Sequence, residues 1–72
     1  MTCCYAVVIE QAEGNLSAYV PDLPGCVSTG ATLDEVHTNI TEAIQFHIES
    51  LRLHGEPVPP PVTTTRLVDV SG

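Results

Sequence analysis

Thr32-Leu33-Asp34-Glu35-Val36-His37-Thr38-Asn39-Ile40-Thr41-Glu42-Ala43-Ile44-Gln45-Phe46-His47-Ile48-Glu49-Ser50-Leu51-Arg52-Leu53-His54-Gly55-Glu56-Pro57 carries the start, the body and the end of one long helix in its own residue types. Thr32 and Glu35 form a capping box, in which a hydroxyl and a carboxylate satisfy amides that a helix start leaves unpaired. Gly55 can take the left-handed cap position and Pro57 forbids continuation, so the helix runs from Leu33 to about His54, about 33 Å of rod. At about 100° per residue, Leu33, Val36, Ile40, Ala43, Ile44, Ile48 and Leu51 share one broad stripe, the width expected of a helix lying across a sheet. That stripe is the expected core.

The sheet lies on either side of this helix in sequence. Tyr5 to Glu10 is rich in β-branched and apolar residues and reads as a strand, and Ala12-Glu13-Gly14-Asn15 has the composition of a hairpin turn. A second strand follows from Leu16 to Val20. Pro21-Asp22-Leu23-Pro24-Gly25 is a rigid reversal, because its prolines fix φ and Gly25 permits a turn; Cys26 to Thr29 forms a short third strand. Glu56-Pro57-Val58-Pro59-Pro60-Pro61 is a polyproline spacer, and Thr63 to Val70 is again β-prone. The expected class is therefore α+β in the order β-β-β-α-β, with the helix on one face of a small mixed sheet. Alternation in the first strand leaves neither face polar, so it is expected to be central. One helix covers one face, which leaves the side of Cys4, Ala6 and Val8 to be covered by another chain.

With 72 residues there is room for a single domain spanning 1–72 and for no separate DNA-binding domain. Nine acidic residues against two arginines give a formal charge of −7, too acidic for a phosphate-binding patch, so a basic protein is a better partner than nucleic acid. The odd number of cysteines (Cys3, Cys4, Cys26) and the absence of a leader or an apolar run long enough for a bilayer point to reduced thiols in a cytoplasmic protein. A chain this small buries only about 60% of its unfolded surface. Lacking disulfides or a metal to compensate, it is expected to be a homo-oligomer, a dimer or tetramer.

The chemistry-bearing residues support no catalytic or metal site. His37, His47 and His54 are not spaced by three or four, so no two rings converge from adjacent helical turns. Cys3 and Cys4 point to opposite faces of a strand, and Cys26 has no histidine beside it in sequence. Glu10 and Asp22 at strand ends could meet as a hydrolase pair, but the simpler account solvates Glu10 and has Asp22 accept backbone amides inside its own loop. Glu35, Glu42 and Glu49 recur every seven residues and form an acidic ridge opposite the apolar stripe. Phe46 and Leu53 project beside that ridge. An apolar pair rimmed by carboxylates reads as a contact surface, either for self-association or for a basic partner.

The runs Tyr5-Ala6-Val7-Val8-Ile9-Glu10, Tyr19-Val20-Pro21-Asp22-Leu23-Pro24-Gly25-Cys26, Gly30-Ala31-Thr32-Leu33-Asp34-Glu35-Val36 and Gly55-Glu56-Pro57-Val58-Pro59 together resemble the HicB family of antitoxins. Residues 1–62 match the family core, and 63–72 hold the last strand. The resemblance implies a partial ribonuclease H-like fold with strands in the order 3-2-1-4 and no metal-binding carboxylate cluster, so no enzyme activity and no cofactor. It also implies a function: binding and neutralising a small basic HicA-type mRNA interferase by protein–protein contact. The alternative is an orphan HicB-like oligomeric binding module with another partner. Many relatives carry an additional operator-binding domain, whereas Gly72 follows directly on the last strand here. The partner-binding residues expected on this reading are Asp22, Leu23, Pro24 and Gly25 in the loop, and Glu42, Phe46, Glu49 and Leu53 on the outer helix face.

Overall fold

A computed structural model describes residues 4–72 of the chain. The expectation for Cys3 lies outside the described residues, and Cys4 is exposed. β1 (Val8–Ala12) and β2 (Asn15–Tyr19) form an antiparallel hairpin whose last pair is Ala12 with Asn15. The two residues between them are Glu13, with negative φ, and Gly14, with φ of 82°. That sign pattern belongs to a type II turn, in which glycine takes the second central position without strain. β3 (Val27–Gly30) pairs antiparallel with the other edge of β2, giving the order β1-β2-β3. Helix α1 (Leu33–Leu53) follows at once and packs on β3 and β2.

The helix boundaries follow the sequence reading closely. Thr32 caps the start, its Oγ1 accepting the Glu35 amide at 3.1 Å. The Glu35 carboxylate returns to the Ala31 amide at 3.1 Å, one residue earlier than the usual box. At the other end the Glu56 amide donates to Leu51 O at 2.8 Å and the Gly55 amide to Arg52 O at 3.1 Å, with Gly55 at φ 68°. This pair of bonds is a Schellman motif, which consumes carbonyls that the last turn leaves free.

The core is small and drawn from β2, the loop after it and α1. Ala18 and Val20 from β2 and its end, Leu23 and Cys26 from the following loop, and Val36 and Ile40 from α1 are buried. Tyr5, Val7, Leu16, Ala43 and Ile44 pack around them. Burying Leu23, Val36 and Ile40 contributes roughly 1.5–3 kcal/mol each in transfer free energy. Of the expected stripe, Leu33 departs: it stays 64% exposed because it precedes the point where the helix meets the sheet. That meeting point is Gly30, whose missing side chain lets the backbone of Val36 approach; a Cβ there would stand 2.6 Å from the Val36 nitrogen.

Two expectations about the sheet are corrected. Pairing in the first strand begins at Val8 and not Tyr5, because its partner there is Tyr19 and the chain beyond turns away into the Pro21 loop. Thr63 to Val70 forms no strand, so the observed sheet is three-stranded and wholly antiparallel, and β1 is an edge, not a centre. The C-terminal segment is extended and tied to the body at two places only among the described residues. The Tyr5 hydroxyl donates to Pro59 O at 2.5 Å, and Val62 and Thr63 are held by Asp22.

Candidate protein-binding surface

The loop after β2 is built by two successive turns. Leu23 N donates to Val20 O at 3.1 Å with Pro21 at the first central position, and Cys26 N donates to Leu23 O at 3.0 Å across Pro24 and Gly25. Each proline presets φ near −65°, and Gly25 at φ 84° supplies the left-handed second position of a type II turn. A third bond, Val20 N to Cys26 O at 3.1 Å, closes the loop at its base.

This geometry divides the four loop residues expected to touch a partner. Pro24 and Gly25 are exposed at the tip, and Asp22 is half-buried. Leu23 is fully buried and packs with Val36 and Ile40, so it pins the loop to the core and offers nothing to a partner. Asp22 accepts three hydrogen bonds: from Val62 N and Thr63 N on Oδ2, both at 2.9 Å, and from Thr63 Oγ1 on Oδ1 at 2.7 Å. The Thr63 amide above all, then its hydroxyl and, more weakly, the Val62 amide, hold this carboxyl below the ordinary carboxylate value against the opposing effect of desolvation. The amides that Asp22 accepts are thus about forty residues away, not inside its own loop, and both carboxylate oxygens serve as a clamp on the C-terminal segment.

On α1, Glu42, Phe46, Glu49 and Leu53 are all exposed, with Phe46 at 74% and Leu53 at 85%. They occupy the side of the helix opposite Val36 and Ile40. Leu23 packs beside Val36 and Ile40, so the loop and the outer ridge lie on different sides of the helix and do not merge into one patch. The sheet has its own open face. Val8, Tyr19 and Val27 are paired across β1, β2 and β3 and form a transverse apolar row pointing away from the helix, with Tyr19 41% and Val27 64% exposed. Strand alternation had placed Val8 on that uncovered side; Tyr19 and Val27 were legible from the same rule once Ala18 is set facing inward.

The remaining chemistry-bearing side chains do not assemble. Among the described residues no group of three or more His, Cys, Asp or Glu side chains could hold a metal ion. His54 Nδ1 donates to Ser50 O at 2.7 Å on the helix's last turn, and Cys26 lies in the core, where burial pushes its thiol up and away from the reactive thiolate. No helix is long and apolar enough to cross a membrane among the described residues.

A three-stranded meander crossed by one capped helix, with a pinned proline loop and an acidic apolar ridge on the outer helix face, defines a small α+β domain. The chain belongs to the family described as HicB_like antitoxin of bacterial toxin-antitoxin system, whose model matches residues 5–71. It is 46% identical over 56 residues to a UPF0150 protein of Synechocystis, covering 76% of this chain and 71% of that one. A UPF0150 protein of Thermoplasma acidophilum is also 46% identical over 56 residues, covering 76% and 81%. An uncharacterized 14.9 kDa protein of Haemophilus phage HP1 is 44% identical over 55 residues, which span 76% of this chain but 41% of the longer phage protein. Among solved structures, the HicA3 and HicB3 toxin-antitoxin complex contains a chain that superposes with a TM-score of 0.73 at 35% identity, covering 82% of this chain and 70% of that chain.

Proposed function

We propose that this protein is a cytoplasmic antitoxin that neutralises a small basic HicA-type mRNA interferase by direct contact, as a homo-oligomer and without catalysis or cofactor. The observation that carries the reading is the outer face of α1, where Phe46 and Leu53 stand 74% and 85% exposed between Glu42 and Glu49 on a chain of charge −7. An aromatic anchor in a carboxylate rim suits a basic surface, and occupying the positive surface of a ribonuclease competes with its RNA. The tip of the loop at Pro24 and Gly25, with Asp22 behind it, provides a second contact on another side of the helix. Membership of an antitoxin family and the fold shared with the HicB3 chain support the same partner class.

The test uses a small basic protein encoded beside this chain, assayed as a ribonuclease with and without it. Phe46→Glu should weaken inhibition by about 30-fold, the effect of removing a central anchor of about 2 kcal/mol, with helical circular dichroism unchanged. Inhibition by Phe46→Glu and Leu53→Glu at the parent's strength would remove α1 as the contact. Lack of any complex with that protein would favour the orphan module.

A further inference from the structure

The face of the sheet turned away from α1 carries two transverse rows of side chains. Ala18 is buried in the core under the helix, so Ser17 and Tyr19 on either side of it point the other way. The registers pair Tyr19 with Val8 and Val27, an apolar row, and Ser17 with Glu10 and Thr29, a polar row nearer the hairpin turn. Tyr19 and Val27 are exposed, and an open depression of about 520 Å³ lies beside them between β2 and β3. It leaves room for a second aromatic ring.

Charge selects the occupant of this face. Two copies of a chain of charge −7 repel, so a self-contact is confined to surface where carboxylates are few. Glu10 is the only charged residue in the three strands, whereas the outer side of α1 carries Glu35, Glu42 and Glu49. A basic partner gains little from two nearly neutral rows, and a second copy meets no wall of like charge there. The rows are also self-complementary. Sheets stacked face to face lie about 10 Å apart with their strands nearly aligned. A two-fold axis along β2 exchanges the two outer strands, so Val8 meets the partner's Val27, Tyr19 meets the partner's Tyr19 and Glu10 meets the partner's Thr29. Apolar row then lies on apolar row. Each Glu10 carboxylate faces a hydroxyl able to donate to it, and the two carboxylates stand two strand spacings, roughly 10 Å, apart across the sheet.

We propose that two copies of this chain pack these outer sheet faces together, row on row, about a two-fold axis along β2. This rests on the homo-oligomer part of the proposed function and leaves the outer side of α1 to the toxin. A contact three short strands wide belongs to the weak, concentration-dependent dimers, so the test follows the mass of the full chain by light scattering across protein concentration. The expected result is a dimer in which Tyr19→Glu and Val27→Glu each raise the dissociation constant at least about tenfold, with helical circular dichroism unchanged. Val8→Lys should do the same alone. Mixing Val8→Lys with Val27→Glu should recover a heterodimer, because the two-fold sets position 8 of one copy against position 27 of the other. A parent dimer insensitive to both Tyr19→Glu and Val27→Glu would overturn this surface and leave the homo-oligomer reading standing. A mixture that stays monomeric would overturn the two-fold along β2. A parent that is monomeric at every concentration would overturn the surface and the homo-oligomer reading together.

Discussion

Gly30→Ala tests how the helix is seated on the sheet. The Cβ it introduces would stand 2.6 Å from the nitrogen and 2.8 Å from the Cα of Val36, both backbone atoms in a capped helical turn that cannot rotate away. Ordinary contact begins about 0.8 Å further out, so α1 must back off β3 by nearly an ångström, and Val36 and Ile40 move with it. Overpacking of this kind costs about 1–3 kcal/mol. The alanine recovers about 0.4–1 kcal/mol by restricting the unfolded chain, because φ at Gly30 is not in the left-handed region. The expected net loss is about 1–2 kcal/mol, or a fall in Tm of several degrees for a domain this small. Urea unfolding followed by circular dichroism at one fixed protein concentration measures it, with Gly14→Ala as a control that has an open surrounding but a positive φ. A Gly30→Ala midpoint within about 0.3 kcal/mol of the parent, at unchanged slope, would refute the claim that Gly30 sets the helix–sheet distance.

Two further outcomes follow from the packing and from the clamp. Ile40→Ala should destabilise by about 2–5 kcal/mol, against less than about 0.5 kcal/mol for Leu33→Ala, and equal losses in urea unfolding would show that the buried stripe has been misplaced. The Asp22 carboxyl sits below its ordinary value of 3.8, so the clamp is fully present above that pH and is lost as the pH falls through the lower folded value. Amide shifts of Val62 and Thr63 should therefore move only below about pH 4, and should be lost at neutral pH in Asp22→Ala; titration near neutrality would contradict the assignment.

The features legible in the sequence were those written within a few neighbouring residues. Thr32, Glu35 and Gly55 placed both ends of α1 to within a residue of the structure, because caps are local chemistry. The exposure of Phe46 and Leu53 was legible for the same reason, since helical periodicity alone puts them opposite Val36 and Ile40. Burial of Leu23 was not, because a leucine between two prolines in a turn carries no periodicity that says which way it points. Nor was the choice of partner by Asp22: an aspartate in a turn commonly bonds nearby amides, and nothing in residues 20–26 shows that Val62 and Thr63 arrive from elsewhere. The missing last strand has the same origin. Thr63 to Val70 has the residues of a strand, yet a strand exists only where a neighbour supplies its other half.

The ties at Asp22 and Tyr5 set an order of assembly. The meander closes through a two-residue turn and a short loop, and only two residues separate β3 from α1, so the body is built from neighbours in sequence. The bonds from Asp22 to Thr63 and from Tyr5 to Pro59 span 41 and 54 residues and close loops that local folding leaves open. Long closures add the most entropic cost, so weakening these bonds is expected to speed unfolding more than it slows folding, which stopped-flow rates of Asp22→Ala would check. The lifetime of the docked tail is thereby adjustable through a single carboxylate, apart from the speed with which the body acquires its shape.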